Sequence, residues 1–132
     1  MIDDAFRAAW SPRVLSVLRL IAGLMFMQHG LTKYFGFPAP TPATFQMYSL
    51  LGAAGALEVV GGALIAMGLF TRAAAFVCSG QMAVAYFMSH APRGFFPQPN
   101  GGELAILYCF VFLYIALQGG GPWSLDAARL GR

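Results

Sequence analysis

The sequence predicts an all-α integral membrane protein, a four-helix bundle with its N and C termini both in the cytoplasm. Three observations carry that expectation. Hydrophobic residues make up 58% of the chain and charged residues only 10%, against about 45–50% and about 25% in soluble domains. Four apolar runs approach the roughly 20 residues that a crossing helix needs, and together they use most of the 132 residues as a single domain, 1–132. The segments between them are dense in helix breakers.

The first run, Val14 to Phe35, rises about 33 Å at 1.5 Å per residue and so spans a hydrocarbon core of about 30 Å. It carries Arg19, His29 and Lys33, and it is longer than the apolar centre of a signal peptide, about 7–15 residues. It is therefore expected to be a retained helix. Residues 36–49 hold Pro38, Pro40 and Pro42 without a charge, which denies the backbone both donors and helical continuity. A second helix is predicted over 50–70 and a third over 73–89. Only Thr71 and Arg72 link them, so the two must be antiparallel neighbours. The stretch Ala91 to Gly102, with three prolines and three glycines, is a loop. The fourth helix, 103–118, stops at Gly119-Gly120-Gly121-Pro122.

Orientation follows from basic residues near the helix ends. Arg7 and Arg13 precede the first helix, Arg72 lies in the tight link, and Arg129 and Arg132 follow the fourth, while Lys33 and Arg93 fall on the opposite side. The excess marks the cytoplasmic face. Trp10 and Trp123 flank the first and fourth helices, where interfacial aromatics are enriched. The net charge of +3 is scattered, with no aromatic-basic interleaving that would suit a nucleic acid.

Glu58 is the residue most in need of an explanation. Leu50 to Phe70 holds no other ionisable group, and a charge at the centre of a membrane helix costs about 2.5–3.5 kcal/mol even on the gentlest scales. It shares a helical stripe with Gly55 and Gly62, small residues that let another helix approach, so it points into the bundle. Two readings stay open there: an interhelical hydrogen bond that locks packing, or a ligand or proton-handling group. His29 and Lys33 are four apart on one face, about 9 and 3 Å below the outer helix end, and Glu58 is about 12 Å below it. Glu58 is thus expected to pair with His29 or Lys33. Gln81 lies about 12 Å below the outer end of the third helix, and Glu103 opens the fourth. The candidate ligand-binding set is His29, Lys33, Glu58, Gln81 and Glu103, one polar group or more from every helix. For each a bland role competes: snorkelling for Lys33, a satisfied core imidazole for His29, a helix bridge for Gln81, and a dipole contact for Glu103.

Other residues narrow the function. Arg19 is expected to reach the inner headgroups, Arg72 serves topology, and His90 and Arg93 occupy the outer lip. Cys78 and Cys109 are expected about 14 Å apart in depth, too far for a disulfide whose Cα atoms lie within about 7 Å. No Cys-x-x-Cys, zinc or iron–sulfur spacing occurs, and the seven methionines are scattered as packing residues rather than a copper path. No metal and no catalytic group is assigned. Below Gln81 the third helix is apolar or small, which argues against a proton or solute pathway through the full thickness.

Taken together, His29-Gly30-Leu31-Thr32-Lys33 at the end of helix one, Glu58 with Gly61-Gly62, Gly68-Leu69-Phe70-Thr71-Arg72 in the turn, and Gly101-Gly102-Glu103 opening helix four resemble the DoxX family. The likeness covers nearly the whole chain. It implies a small four-helix protein of the bacterial plasma membrane, in a family named after a subunit of a thiosulfate:quinone oxidoreductase. It also implies closeness to quinone or thiol redox chemistry, with His29, Lys33, Glu58, Arg72 and Glu103 as the matching positions. The expected protein is then a membrane subunit rather than a stand-alone enzyme, with a quinone as the cofactor in view. Its expected partners are the lipid bilayer and a redox enzyme or a further copy of the chain. The competing expectation is a non-enzymatic structural or assembly protein whose polar core only fixes helix packing.

Overall fold

The computed structural model describes residues 1–131, so Arg132, counted above with the cytoplasmic arginines, lies outside the described residues. The chain is all helical, with no strand among those residues: α1 Asp4–Phe35, α2 Leu50–Met67, α3 Thr71–Ala85, α4 Pro97–Asn100, α5 Glu103–Gln118 and α6 Leu125–Arg129. α1 and α2 are long and apolar enough to cross a membrane, and α5 is a shorter apolar helix.

α1 begins ten residues before the expected start, and so takes in Trp10, Pro12 and Arg13. Asp3 explains the difference, because its carboxylate accepts from Phe6 N–H at 2.7 Å and caps a first turn that Pro12 does not undo. α2 stops at Met67 rather than Phe70: Gly68 turns left-handed (φ 72°), its N–H returns to Ile65 and that of Leu69 returns to Leu64, a glycine stop that satisfies orphaned carbonyls. Thr71 and Arg72 accordingly belong to α3 and not to the link. α3 runs on through a π-helical turn, Tyr86–His90, and a 3-10 turn, Ala91–Arg93, past the expected end at Ser89. Pro92 and Gly94 then break it.

α1 packs along α2 and α3 along α5, with α2–α3 and α1–α5 contacts closing the arrangement. The α1–α2 seam is made of glycines. A Cβ on Gly23 would meet the Ala66 backbone at 2.6 Å, and one on Gly30 would meet the Gly55 carbonyl at 2.5 Å, so neither position admits a side chain at this helix separation. The α1–α5 contact is aromatic: the Phe26 ring lies 5.3 Å from Tyr108 and 5.0 Å from Phe112, both edge-on. One end of the molecule carries the loop 36–49 and the segment 94–102, where the expected loop is interrupted by the short helix α4 with Pro97 at its first position. The other brings the first half of α1, the α2–α3 turn and the C-terminal segment together.

Candidate functional site

A polar layer crosses the four long helices toward the loop end. Lys33 of α1 forms an ion pair with Glu58 of α2, reaching Oε1 and, at 2.9 Å, Oε2. Glu58 is only 3% exposed and the Lys33 side chain 17%, so each is the other's main source of charge compensation. The expected pairing is therefore made through Lys33. His29 is exposed, and its ring meets the edge of Tyr108 at 6.1 Å instead of the carboxylate. Next to the pair, Tyr34 donates to Gly52 O at 2.7 Å, and Gln81 of α3 donates from Nε2 to Ala54 O at 3.2 Å. Ser79 donates to Cys109 O at 2.7 Å, which ties α3 to α5 at the same level.

Two buried polar atoms in this layer have no partner: Gln81 Oε1 and the Tyr108 hydroxyl. Tyr108 is 6% exposed and stacks on Phe112 at 5.5 Å. Of the five residues singled out in the sequence, the structure brings Lys33, Glu58 and Gln81 into one layer. His29 stands at its edge. Glu103 is exposed at the loop end and lines a different cavity, of about 680 Å³, with Phe96 and Leu107. Tyr108 was missed, although Ala105, Tyr108, Phe112 and Ile115 form the buried stripe of α5 at the 3-4-3 spacing of a core face.

The cysteines are free, but not through depth. Ser79, beside Cys78, bonds Cys109, with its hydroxyl 3.6 Å from that thiol, which corrects the expected 14 Å separation. Cys78 instead turns its sulfur to Gly61. α3 and α5 overlap at their middles because α5 spans only 16 residues.

At the opposite end the expectation for Arg19 fails. It is 2% exposed and donates to four carbonyls: Nε to Gly120 at 2.8 Å, Nη1 to Ile65 at 2.8 Å and Ala66 at 2.6 Å, and Nη2 to Trp123 at 2.6 Å. Two of those belong to the last turn of α2, where carbonyls lack i+4 donors; Ile65 O also accepts from Gly68 N–H. Asp126 completes this knot by accepting from Phe70 N–H and Thr71 N–H, each at 2.9 Å, and so caps α3 from a distant part of the chain. Burial alone would raise the Asp126 carboxyl, but those bonds and the Arg129 charge outweigh it and hold it below the ordinary carboxylate value. A depressed acid stabilises the fold above its unfolded pKa, about 3.9, and loses that contribution as pH falls through the folded value. Asp126→Asn is expected to cost about 1 kcal/mol at neutral pH, as lost caps do. Its melting temperature should fall less than that of the wild type between pH 5 and 3. Parallel slopes would show that Asp126 is not the cap.

A family model described as DoxX matches residues 14–91. A protein of Haemophilus influenzae, described as uncharacterized, is 43% identical over 122 residues that cover 89% of this chain and 91% of that one. A second uncharacterized protein of the same organism is 29% identical over 96% of this chain and 89% of its own length. An uncharacterized membrane protein of Mycobacterium tuberculosis is 25% identical over 89% of this chain and 82% of its own. No solved structure matches the chain. The matched segment holds the α1–α2 glycine seam, the Lys33–Glu58 pair and the Gly68–Arg72 turn, and with it this membrane protein belongs to the DoxX family.

Proposed function

We propose that the protein is a multi-pass subunit of the bacterial inner membrane whose polar layer receives the polar end of a quinone-like amphiphile, in service of a redox enzyme rather than as an enzyme alone. The observation that carries this reading is the pair of orphaned atoms, Gln81 Oε1 and the Tyr108 hydroxyl, in the same layer as the Lys33–Glu58 pair. Buried polar groups are almost always partnered, and a free hydroxyl donor and a free amide acceptor in one layer suit the oxygens of a quinone or quinol. The link to redox chemistry rests on the family likeness. Four crossings with both termini in the cytoplasm accord with the Arg7, Arg13, Arg72 and Arg129 excess at the terminal end. α5, about 24 Å long, needs some local thinning of the bilayer.

One set of observations favours the packing reading. Lys33 and Glu58 satisfy each other, the glycine seam beside them is tight, and the cavities lie outside the layer. Tyr108→Phe separates the two. It removes an unsatisfied buried hydroxyl, so the ligand-free protein should be as stable as the wild type or better by about 1 kcal/mol. Under the binding reading, short-chain quinones raise the melting temperature of the wild type, and Tyr108→Phe and Gln81→Ala weaken that shift. Quinones that stabilise both proteins equally, or neither, leave the layer as a packing device only.

A further inference from the structure

A cavity of about 680 Å³ opens at the loop end between α4 and the first turns of α5. Its volume is that of a small-molecule site. Phe96, Pro97, Pro99, Ile106 and Leu107 form apolar walls, and Gln98 and Glu103 are its polar groups. Among the described residues Glu103 forms no ion pair, which leaves a lone carboxylate at the mouth of an apolar recess. It stands at the first position of α5.

A single negative charge beside an apolar slot selects a cation that carries an apolar body. The cavity also continues into a track. Leu107, Phe110, Tyr114 and Leu117 are 61%, 64%, 52% and 70% exposed, and their 3-4-3 spacing sets them on one stripe of α5. From Leu107, which lines the cavity, to Leu117 the stripe runs about 15 Å, the hydrocarbon depth of one leaflet. A quinone has no cation for Glu103, and an anionic lipid would be repelled by it.

We propose that this cavity binds an ammonium-headed phospholipid of the phosphatidylethanolamine class. Its ammonium sits on the Glu103 carboxylate with the Phe96 ring as an apolar, cation-tolerant wall, the Gln98 amide can donate to its phosphate, and one acyl chain lies along the Leu107–Leu117 stripe. The site is separate from the polar layer. It requires that α5 face lipid but not that quinone bind.

The test uses the full chain, purified in mild detergent, offered equimolar phosphatidylethanolamine and phosphatidylglycerol, and read by native mass spectrometry. The wild type should retain phosphatidylethanolamine over phosphatidylglycerol by about two- to five-fold, the ratio that a partly solvated ion pair supplies. Glu103→Gln should bring that ratio to one while lowering the melting temperature by no more than the loss of a surface dipole contact does. Phe96→Ala should lower retention, and Tyr108→Phe should change nothing, so that failure of the polar-layer reading leaves this result readable. Equal retention of both lipids by the wild type, or a preference that survives Glu103→Gln, overturns the proposal. Binding of dodecylamine with retention of neither phospholipid overturns it in favour of a soluble amphiphile.

Discussion

Lys33→Ala is expected to destabilise the protein by about 3–5 kcal/mol at neutral pH, the cost of breaking a buried ion pair from one side, and by more than Glu58→Ala does. The asymmetry follows from exposure. Glu58 is 3% exposed, whereas the Lys33 side chain keeps 17% and sits in the last turn of α1. Without Glu58 the lysine can swing its stem toward the helix end and hydrate its ammonium. Without Lys33 the carboxylate has nowhere to go. The double variant Lys33→Met/Glu58→Leu should recover most of the loss, because well-packed apolar replacements of buried pairs are often neutral or better. Thermal melts in detergent at neutral pH decide it. Equal losses in the two single variants, or a double variant no better than either, would sink this account of the pair.

That pair also marks how far the sequence could be read. A lone acid in an apolar helix, with glycines on its stripe, had to point inward and find a donor, and it does. The choice of donor was less legible. Counting 1.5 Å per residue from each helix end put His29 nearer the depth of Glu58 than Lys33. That count assumes that all helices end in one plane. Tyr34 donating to Gly52 agrees with level ends for α1 and α2; what the count leaves out is side-chain reach. The Lys33 stem passes Gly55, where a Cβ would meet its Cδ at 3.1 Å, and carries the ammonium down to Glu58, while His29 turns to Tyr108. Gln81 and Glu103 failed to meet for a different reason. α5 opens at the loop surface, so its first residue lines the Phe96 cavity, and its polar contribution to the layer comes one turn and a half later, from Tyr108. Helix existence was clear from apolar runs, but ends set by Asp3, Gly68 and Pro92 depend on side-chain caps and turn geometry that hydropathy alone does not weigh.

Arg19→Met should cost as much as any single change in this chain, about 3–5 kcal/mol, even though Arg19 neither pairs with a carboxylate at contact distance nor touches the polar layer. Hydrogen bonds from a charged donor contribute about 1.5–3 kcal/mol each, and Arg19 makes four. They are not additive, because all four carbonyls belong to one knot. Methionine keeps the stem but leaves the carbonyls of Ile65, Ala66, Gly120 and Trp123 without that donor, in a place where Ser16 and the glycines at 119 and 120 are also buried. The signal for this inward arginine was present in the sequence. Ser16, Arg19, Gly23, Phe26 and Gly30 recur at three- and four-residue intervals on the buried face of α1, and a snorkelling arginine would stand off that stripe. Arg19→Lys should recover less than half of the loss, since one ammonium cannot span the three directions that Nε, Nη1 and Nη2 serve. Arg72→Ala, at an exposed guanidinium of the same end, should melt like the wild type. Limited proteolysis supplies the second readout: residues 119–131 should become cleavable in Arg19→Met and stay protected in Arg72→Ala. An Arg19→Met protein that melts normally with its C-terminal segment protected would mean that α1, the end of α2 and the C-terminal segment are held together by something other than this guanidinium.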